Sequence, residues 1–183
     1  QGRLYFMPRK EIKRRTEELL EFCDLIKFRK RTVRKLSGGM KRKLMVCRAL
    51  LTDPEILLLD EPTAGMDALS RRQMWNLLRK LNGKNLTILL TTHYMEEAQN
   101  LCSRVALMDH GKLEEVNTPA GLIDSLGNYT VDEFAGDETH SHYFHSREEA
   151  IAYLSGLSGQ ASLRETTLED VFVERAGRHL MPS

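Results

Sequence analysis

No stretch of this 183-residue sequence stays apolar for more than a few positions, so nothing in it is long enough to span a bilayer as a helix. The basic-then-apolar opening of a secretory signal is also missing, and any link to a membrane is expected to run through a partner. Cysteine is scarce. Cys23, Cys47 and Cys102 form no C-x-x-C pair, which argues against a disulfide framework or a zinc site and for buried cytosolic thiols. Aromatics make up 7% of the chain, with one Trp, and no recognisable nucleic-acid module is present, so no nucleic-acid partner is expected. Internal repeats and low-complexity tracts are lacking too.

What is present is ordinary for a globular protein: 41% apolar and 29% charged residues, in a chain long enough to bury a core of one domain or one and a half. The formal net charge of +1 hides an asymmetry. Residues 1–48 hold 16 of the 27 Lys and Arg but 5 of the 26 Asp and Glu, a local excess of +11, and the remainder carries −10. Such a block serves either as a solvated helix face or as a contact surface.

Apolar spacing predicts a helix from Pro8 to Cys23, with Ile12, Thr16, Leu19, Leu20 and Cys23 on one face. A basic connector leads to Leu36-Ser37-Gly38-Gly39-Met40, and a second helix follows with Leu44, Cys47, Leu50 and Leu51 inward. Ile56–Leu59, Leu86–Leu90 and Val105–Met108 are continuous short apolar runs, the pattern of strands buried on both faces of a parallel sheet. Helices over 68–81, capped by Asp67, and over 94–102 join them, so the expected class is α/β with βαβ units. Within the first of these helices, Met74, Trp75 and Leu78 read as core. His110-Gly111 reads as a turn, and Thr118-Pro119 as the start of a short helix that Gly127 ends. From residue 127 onward the pattern reads as a small α/β appendage. The expected divisions are thus 1–53, 54–126 and 127–183.

Three features carry chemistry. Asp60-Glu61 follows the buried run directly, at the strand end where open parallel sheets gather ligands. An Asp there suits a magnesium shell, and the Glu beside it suits orienting or deprotonating a water. Taken alone, the pair is equally a strand end with two solvated acids. Ser37-Gly38-Gly39 opens a helix, so its hydroxyl and free amides present donors to an anion. His93 follows a strand and Thr91-Thr92, which places it on the same rim as the two acids. His140, His142 and His145 cluster too, but with no Cys or carboxylate at ligand spacing they read as a polar edge strand.

In order along the chain, Leu36-Ser37-Gly38-Gly39-Met40, Ile56 to Pro62, Ala64-Gly65-Met66-Asp67 and Thr91-Thr92-His93 resemble the signature, Walker B, D-loop and H-loop of ABC ATPases. Met40 with Lys41-Arg42-Lys43, and the ending Leu168-Glu169-Asp170-Val171-Phe172, are similar to the multidrug, antibiotic, Nod-factor and lipid exporter branch. The resemblance implies a P-loop-type parallel sheet with flanking helices. It also implies ATP and Mg²⁺ as ligands, with Asp60 at the metal and Glu61 and His93 catalytic. Ser37, Gly38, Gly39, Met40 and Asp67 would contact ATP across a dimer interface. The implied partners are a second ATP-binding subunit, head to tail, and transmembrane permease subunits that hold the chain at the cytoplasmic face of the membrane. The basic block falls partly where the family meets those subunits.

No G-x-x-x-x-G-K-[ST] occurs anywhere in the sequence; Gly83-Lys84 precedes Asn85, and Gly111-Lys112 precedes Leu113. The glutamine of the family's Q-loop is absent as well, and Gln1 does not stand in for it. Without that phosphate cradle the carboxylates have no nucleotide to act on in cis. Little or no ATPase activity is therefore expected of the chain alone. A role in trans remains, as a non-hydrolysing module that completes a partner's site. An apolar sheet edge at Ile56–Leu59, and hence self-association, is also expected.

Overall fold

Pro8 fixes φ at −59° and opens helix α1 (Arg9–Phe22), the first element of a computed structural model that describes residue 2, residues 5–83 and residues 86–180. Gln1, Lys84 and Asn85 lie outside the described residues. The chain divides into two units, residues 1–93 and 94–183.

In the first unit α1 packs on α2 (Gly38–Leu50). Arg15 crosses between them: its guanidinium donates to the Leu50 carbonyl at 3.2 Å and to Asp53 at 3.0 Å, closing off the C-terminal end of α2. Cys23 and Leu25 after α1, and Val46, Cys47 and Leu50 on α2, form the buried seam. Helix α3 (Ala68–Asn82) buries Met74, Trp75, Leu77, Leu78 and Leu81, so Met74, Trp75 and Leu78 are core residues as expected. It connects β1 (Ile56–Asp60) to β2 (Thr87–Thr91), which pair in parallel from Ile56↔Thr87 to Asp60↔Thr91. The βαβ unit is present.

Burial on both faces is not. Leu57 is buried, but Ile56, Leu58 and Leu89 are each 60% exposed or more. Alternate side chains point to opposite faces of a strand, and among the described residues one face of this pair has no cover. The uncovered element is thus a sheet face, in addition to the edge that the sequence led us to expect.

The second unit opens with α4 (Met95–Leu101) and β3 (Val105–Asp109). The run expected as a third parallel strand instead pairs antiparallel with β4 (Lys112–Asn117). The reason is local. His110 (φ 45°) and Gly111 (φ 76°) both take positive φ, the two-residue turn that sends a chain straight back along itself. Helix α5 (Pro119–Asp124) follows, with the Thr118 hydroxyl accepting the Gly121 amide at 3.0 Å. Gly127 (φ 132°) ends this segment; a Cβ there would lie 2.9 Å from the Phe144 backbone.

A three-stranded sheet follows within the same unit. Strand β5 (Tyr129–Ala135) is the centre of an antiparallel sheet, between β6 (Glu138–Phe144) and β7 (Gln160–Glu165). Helix α6 (Arg147–Gly156) starts on a complete capping box of Ser146 and Glu149. Helix α7 (Leu168–Leu180) returns to α4 and α5, where Leu168 and Val171 join Leu122, Ala98, Val105 and Leu107 in one core. The Leu168 amide donates to Gln99 at 3.0 Å, and Arg164 bridges Asp132 of β5 and Asp170 of α7.

Candidate functional site

Strand β1 delivers Asp60 to its carboxyl end, and the chain then reverses sharply. Glu61 takes φ 47°, a left-handed conformation that costs a non-glycine residue about 1–3 kcal/mol. The Thr91 carbonyl of β2 holds it there by accepting the Glu61 amide at 3.0 Å. The kink brings the Glu61 carboxylate to His93, with Nδ1 2.8 Å from Oε1. The other carboxylate oxygen, Oε2, is buried and has no hydrogen-bond partner among the described residues. Beside it, the Thr91 hydroxyl donates to Asp60 Oδ1. Asp60, Glu61 and His93 therefore share one rim, and Thr91 ties both acids to β2.

A second cluster forms where α2 and α3 begin. Ser37 caps α2, its hydroxyl accepting the Met40 amide at 3.3 Å. Asp67 caps α3, accepting from the Ser70 amide at 2.8 Å and the Ser70 hydroxyl at 2.7 Å; these donors hold its carboxyl below the usual range. The two helix starts touch. A Cβ on Gly39 would lie 3.1 Å from Ser70 Oγ, whereas one on Gly38 would meet nothing within 4 Å. Gly39 is thus glycine for close approach, and Gly38 keeps the loop's outer side open. A cavity of about 290 Å³ lies against this junction, lined by Ser37, Gly39, Met40, Lys43, Ser70 and Gln73.

The predicted residues accordingly fall into two groups within the first unit: Asp60, Glu61 and His93 in one, Ser37, Gly38, Gly39, Met40 and Asp67 in the other. Ser70 was not singled out by sequence, and Thr91 only as a neighbour of His93 in its motif, not as a partner of Asp60. Thr91 is recoverable from the strand register, since it stands opposite Asp60, and Ser70 from its place three residues after the capping Asp67. In the other unit His140 and His142 lie 3.6 Å from Glu138 and Glu133. Among the described residues no three potential ligands gather around a metal position.

Comparison with known proteins adds the class. The ABC transporter family profile matches residues 3–64. The Nod factor export ATP-binding protein I of Cupriavidus metallidurans (strain ATCC 43123 / DSM 2839 / NBRC 102507 / CH34) is 38% identical, over 98% of this chain and 66% of its own length. Its namesake from Cupriavidus pinatubonensis (strain JMP 134 / LMG 1197) is 39% identical over 98% and 62%. The chain thus spans less than two thirds of the length of these relatives. Among solved structures, an ATP-binding cassette of an ABC transporter in its ADP conformation aligns with a TM-score of 0.58 at 26% identity, covering 61% of this chain and 44% of that one. A part of an ABC transporter complex from Clostridium perfringens aligns with a TM-score of 0.60 at 26% identity, covering 63% and 47%. These likenesses place the fold with that of ABC ATP-binding cassettes, the P-loop nucleotidase type. Within that class the chain belongs to the ABC transporter ATP-binding family.

Proposed function

We propose that the chain serves as the ATP-binding, energy-coupling part of an ABC exporter, held at the cytoplasmic face of the membrane by permease subunits and paired head to tail with a second ATP-binding subunit. Support for export comes from Met40, the Leu168–Phe172 ending and the relatives, whose name is Nod factor export ATP-binding protein I. Among the described residues no helix is long and apolar enough to cross a membrane, in keeping with attachment through a partner.

The observation that carries the reading is the Glu61–His93 contact beside Asp60. Its donors suit Mg²⁺: hard carboxylate oxygens, one of them, on Glu61, buried and without a hydrogen-bond partner among the described residues. Bound Mg²⁺·ATP would supply the phosphoryl group and neutralise its developing charge. Asp60 would hold the metal through water, while Thr91 fixes one of its oxygens. Glu61 would take up or orient the proton of a water, and His93 would keep that carboxylate in place. No lysine of a G-x-x-x-x-G-K-[ST] cradle stands on the rim, and turnover by this chain alone is expected to be slight.

A second reading is favoured by the other cluster. Ser37, Gly39, Ser70 and Asp67 form one preorganised piece with an open outer side, suited to closing over a nucleotide held by a partner. The chain would then act as a non-hydrolysing module in trans. Hydrolysis by an intact cassette, measured with and without the chain, separates the two. Stimulation that is lost in Ser37→Arg supports the module, and no stimulation leaves only the exporter-subunit reading. Calorimetry with ATP·Mg²⁺ on the chain alone is expected to show no binding. Micromolar affinity, about −8 kcal/mol, would overturn the assignment of phosphate binding to a partner.

A further inference from the structure

The connector between α1 and the Ser37–Met40 loop is not a slack linker. Two single turns of 3₁₀ helix, Ile26–Phe28 and Val33–Lys35, fold it back on itself. The Arg29, Arg31 and Lys35 amides close the turns, donating to the Ile26, Phe28 and Thr32 carbonyls at 3.2, 2.8 and 2.9 Å. Leu25 and Leu36 are buried and anchor its two ends. Residues 26–35 hold six basic side chains and no acid, and all six are exposed. Two are engaged: Arg29 pairs with Glu17 of α1 at 3.2 Å, and Arg31 lies 5.0 Å over the Phe28 ring. Among the described residues, Lys27, Lys30, Arg34 and Lys35 have no carboxylate partner. The neighbouring stretches do not cancel the excess, since residues 21–43 carry nine Lys and Arg against Glu21 and Asp24. Like charges crowded on one folded segment repel, and an anionic surface relieves that repulsion.

A second observation selects the kind of surface. Val33, between Arg31 and Arg34 in sequence, is 55% exposed, an apolar side chain held out among cations. We infer that the 26–35 connector is a docking surface for the anionic headgroups of a phospholipid bilayer, with Val33 resting at the boundary between headgroups and acyl chains. A nucleic acid is a poorer fit. Phe28, the one ring in the connector, already carries Arg31, and Val33 has nothing to gain from phosphates. An acidic peptide would need its charges in register with four unfixed heads, whereas a bilayer, charged throughout its surface, needs no register. This contact adds to the permease attachment proposed above and does not depend on it.

The test is flotation of the full chain with vesicles that contain no permease; flotation leaves self-associated protein at the bottom of the gradient. The chain should float with vesicles of phosphatidylcholine mixed with phosphatidylglycerol and not with phosphatidylcholine alone. Raising salt from about 0.1 to about 1 M shortens the screening length from about 10 to about 3 Å and should release it. Each Lys or Arg near an anionic surface contributes about fivefold, so Lys30→Gln with Lys35→Gln should weaken partitioning about 25-fold. Arg104→Gln with Lys112→Gln removes the same charge from exposed positions of the other unit and should stay within about twofold of wild type. Val33→Ser should weaken partitioning about threefold. Equal flotation with both vesicle types, indifference to salt, or equal losses in the two double variants would each overturn the inference. So would tighter binding to a single-stranded oligonucleotide or to polyglutamate than to the mixed vesicles at matched anion concentration, which would assign the surface to a nucleic acid or an acidic protein. Should a variant fail to fold, the lipid and salt series on the wild-type chain still decide.

Discussion

Removing the Asp170 carboxylate should loosen the second unit by a calculable amount. Asp170 accepts both terminal nitrogens of Arg164 at 2.7 and 2.8 Å, and it accepts the Thr167 amide and hydroxyl, both at 2.8 Å, at the start of α7. In Asp170→Ala the helix loses its cap, worth about 1 kcal/mol. The charged hydrogen bonds add about 1.5–3 kcal/mol, less what solvent returns, since Arg164 is 38% exposed and keeps Asp132 at 2.7 Å. The expected loss is about 2–4 kcal/mol. Hydrogen exchange followed by mass spectrometry reads it locally, as a fall in protection of about 30- to 900-fold in peptides covering β5, β7 and α7. Peptides of residues 5–83 should not change. Asp170→Asn, which retains one acceptor oxygen, should fall between the two. Protection within about threefold of wild type in Asp170→Ala would refute the reasoning. It would mean that the Arg164 bridge spans groups already fixed by the Leu122–Leu168–Val171 core.

The same carboxylate sets a pH dependence. Burial pushes the Asp170 carboxyl up, but the Arg164 and Thr167 donors outweigh it and hold it below its ordinary value. Its stabilisation is complete above the unfolded-chain value of about 4 and is lost as pH falls further, so protection of α7 should drop on acidification, and less steeply in Asp170→Asn. At the helix junction, Gly39→Val should destabilise the first unit by about 1–3 kcal/mol, because its side chain displaces Ser70 from Asp67. Gly38→Ala should cost nothing, and urea unfolding followed by the fluorescence of Trp75, the only tryptophan, distinguishes them. If both variants unfold at the same urea concentration, Gly39 is not glycine for space. Leu58, 69% exposed on the uncovered sheet face, should drive self-association; Leu58→Lys should lower the sedimenting mass and shift stability by under about 0.5 kcal/mol. An unchanged mass would place the contact elsewhere.

Element positions were largely legible in the sequence because local signals set them. Pro8, Ser37, Asp67 and Thr118 begin helices as caps or first-turn residues do, and the strands run to Asp60 and Thr91, one residue past the apolar runs that end at Leu59 and Leu90. The partner of β3 was not legible from its apolar content. Val105–Met108 has the composition of a buried parallel strand, but the turn at His110-Gly111 decides its pairing, and a positive φ at a histidine leaves no mark in hydrophobicity. Burial of β1 was misread for a related reason. A continuous apolar run records which faces a strand is able to bury, and Ile56 and Leu58 are exposed because nothing among the described residues lies over them. At the candidate site the acids and the histidine were readable as types at strand ends, while Thr91's grip on Asp60 needed the register. The meeting of Cys47 with the Leu19 carbonyl of α1 needed the helix packing, since no spacing in the sequence signals it.

The left-handed turn at Glu61 sets folding against chemistry at a single residue. A sequence chosen only for stability would place glycine or asparagine there, since either accepts that backbone with less strain and neither offers the carboxylate that meets His93. Ranking substitutions at position 61 by thermal stability and by function should therefore give opposed orders, and a stabilised variant recovered from a screen at this position would signal a site given up rather than a protein improved.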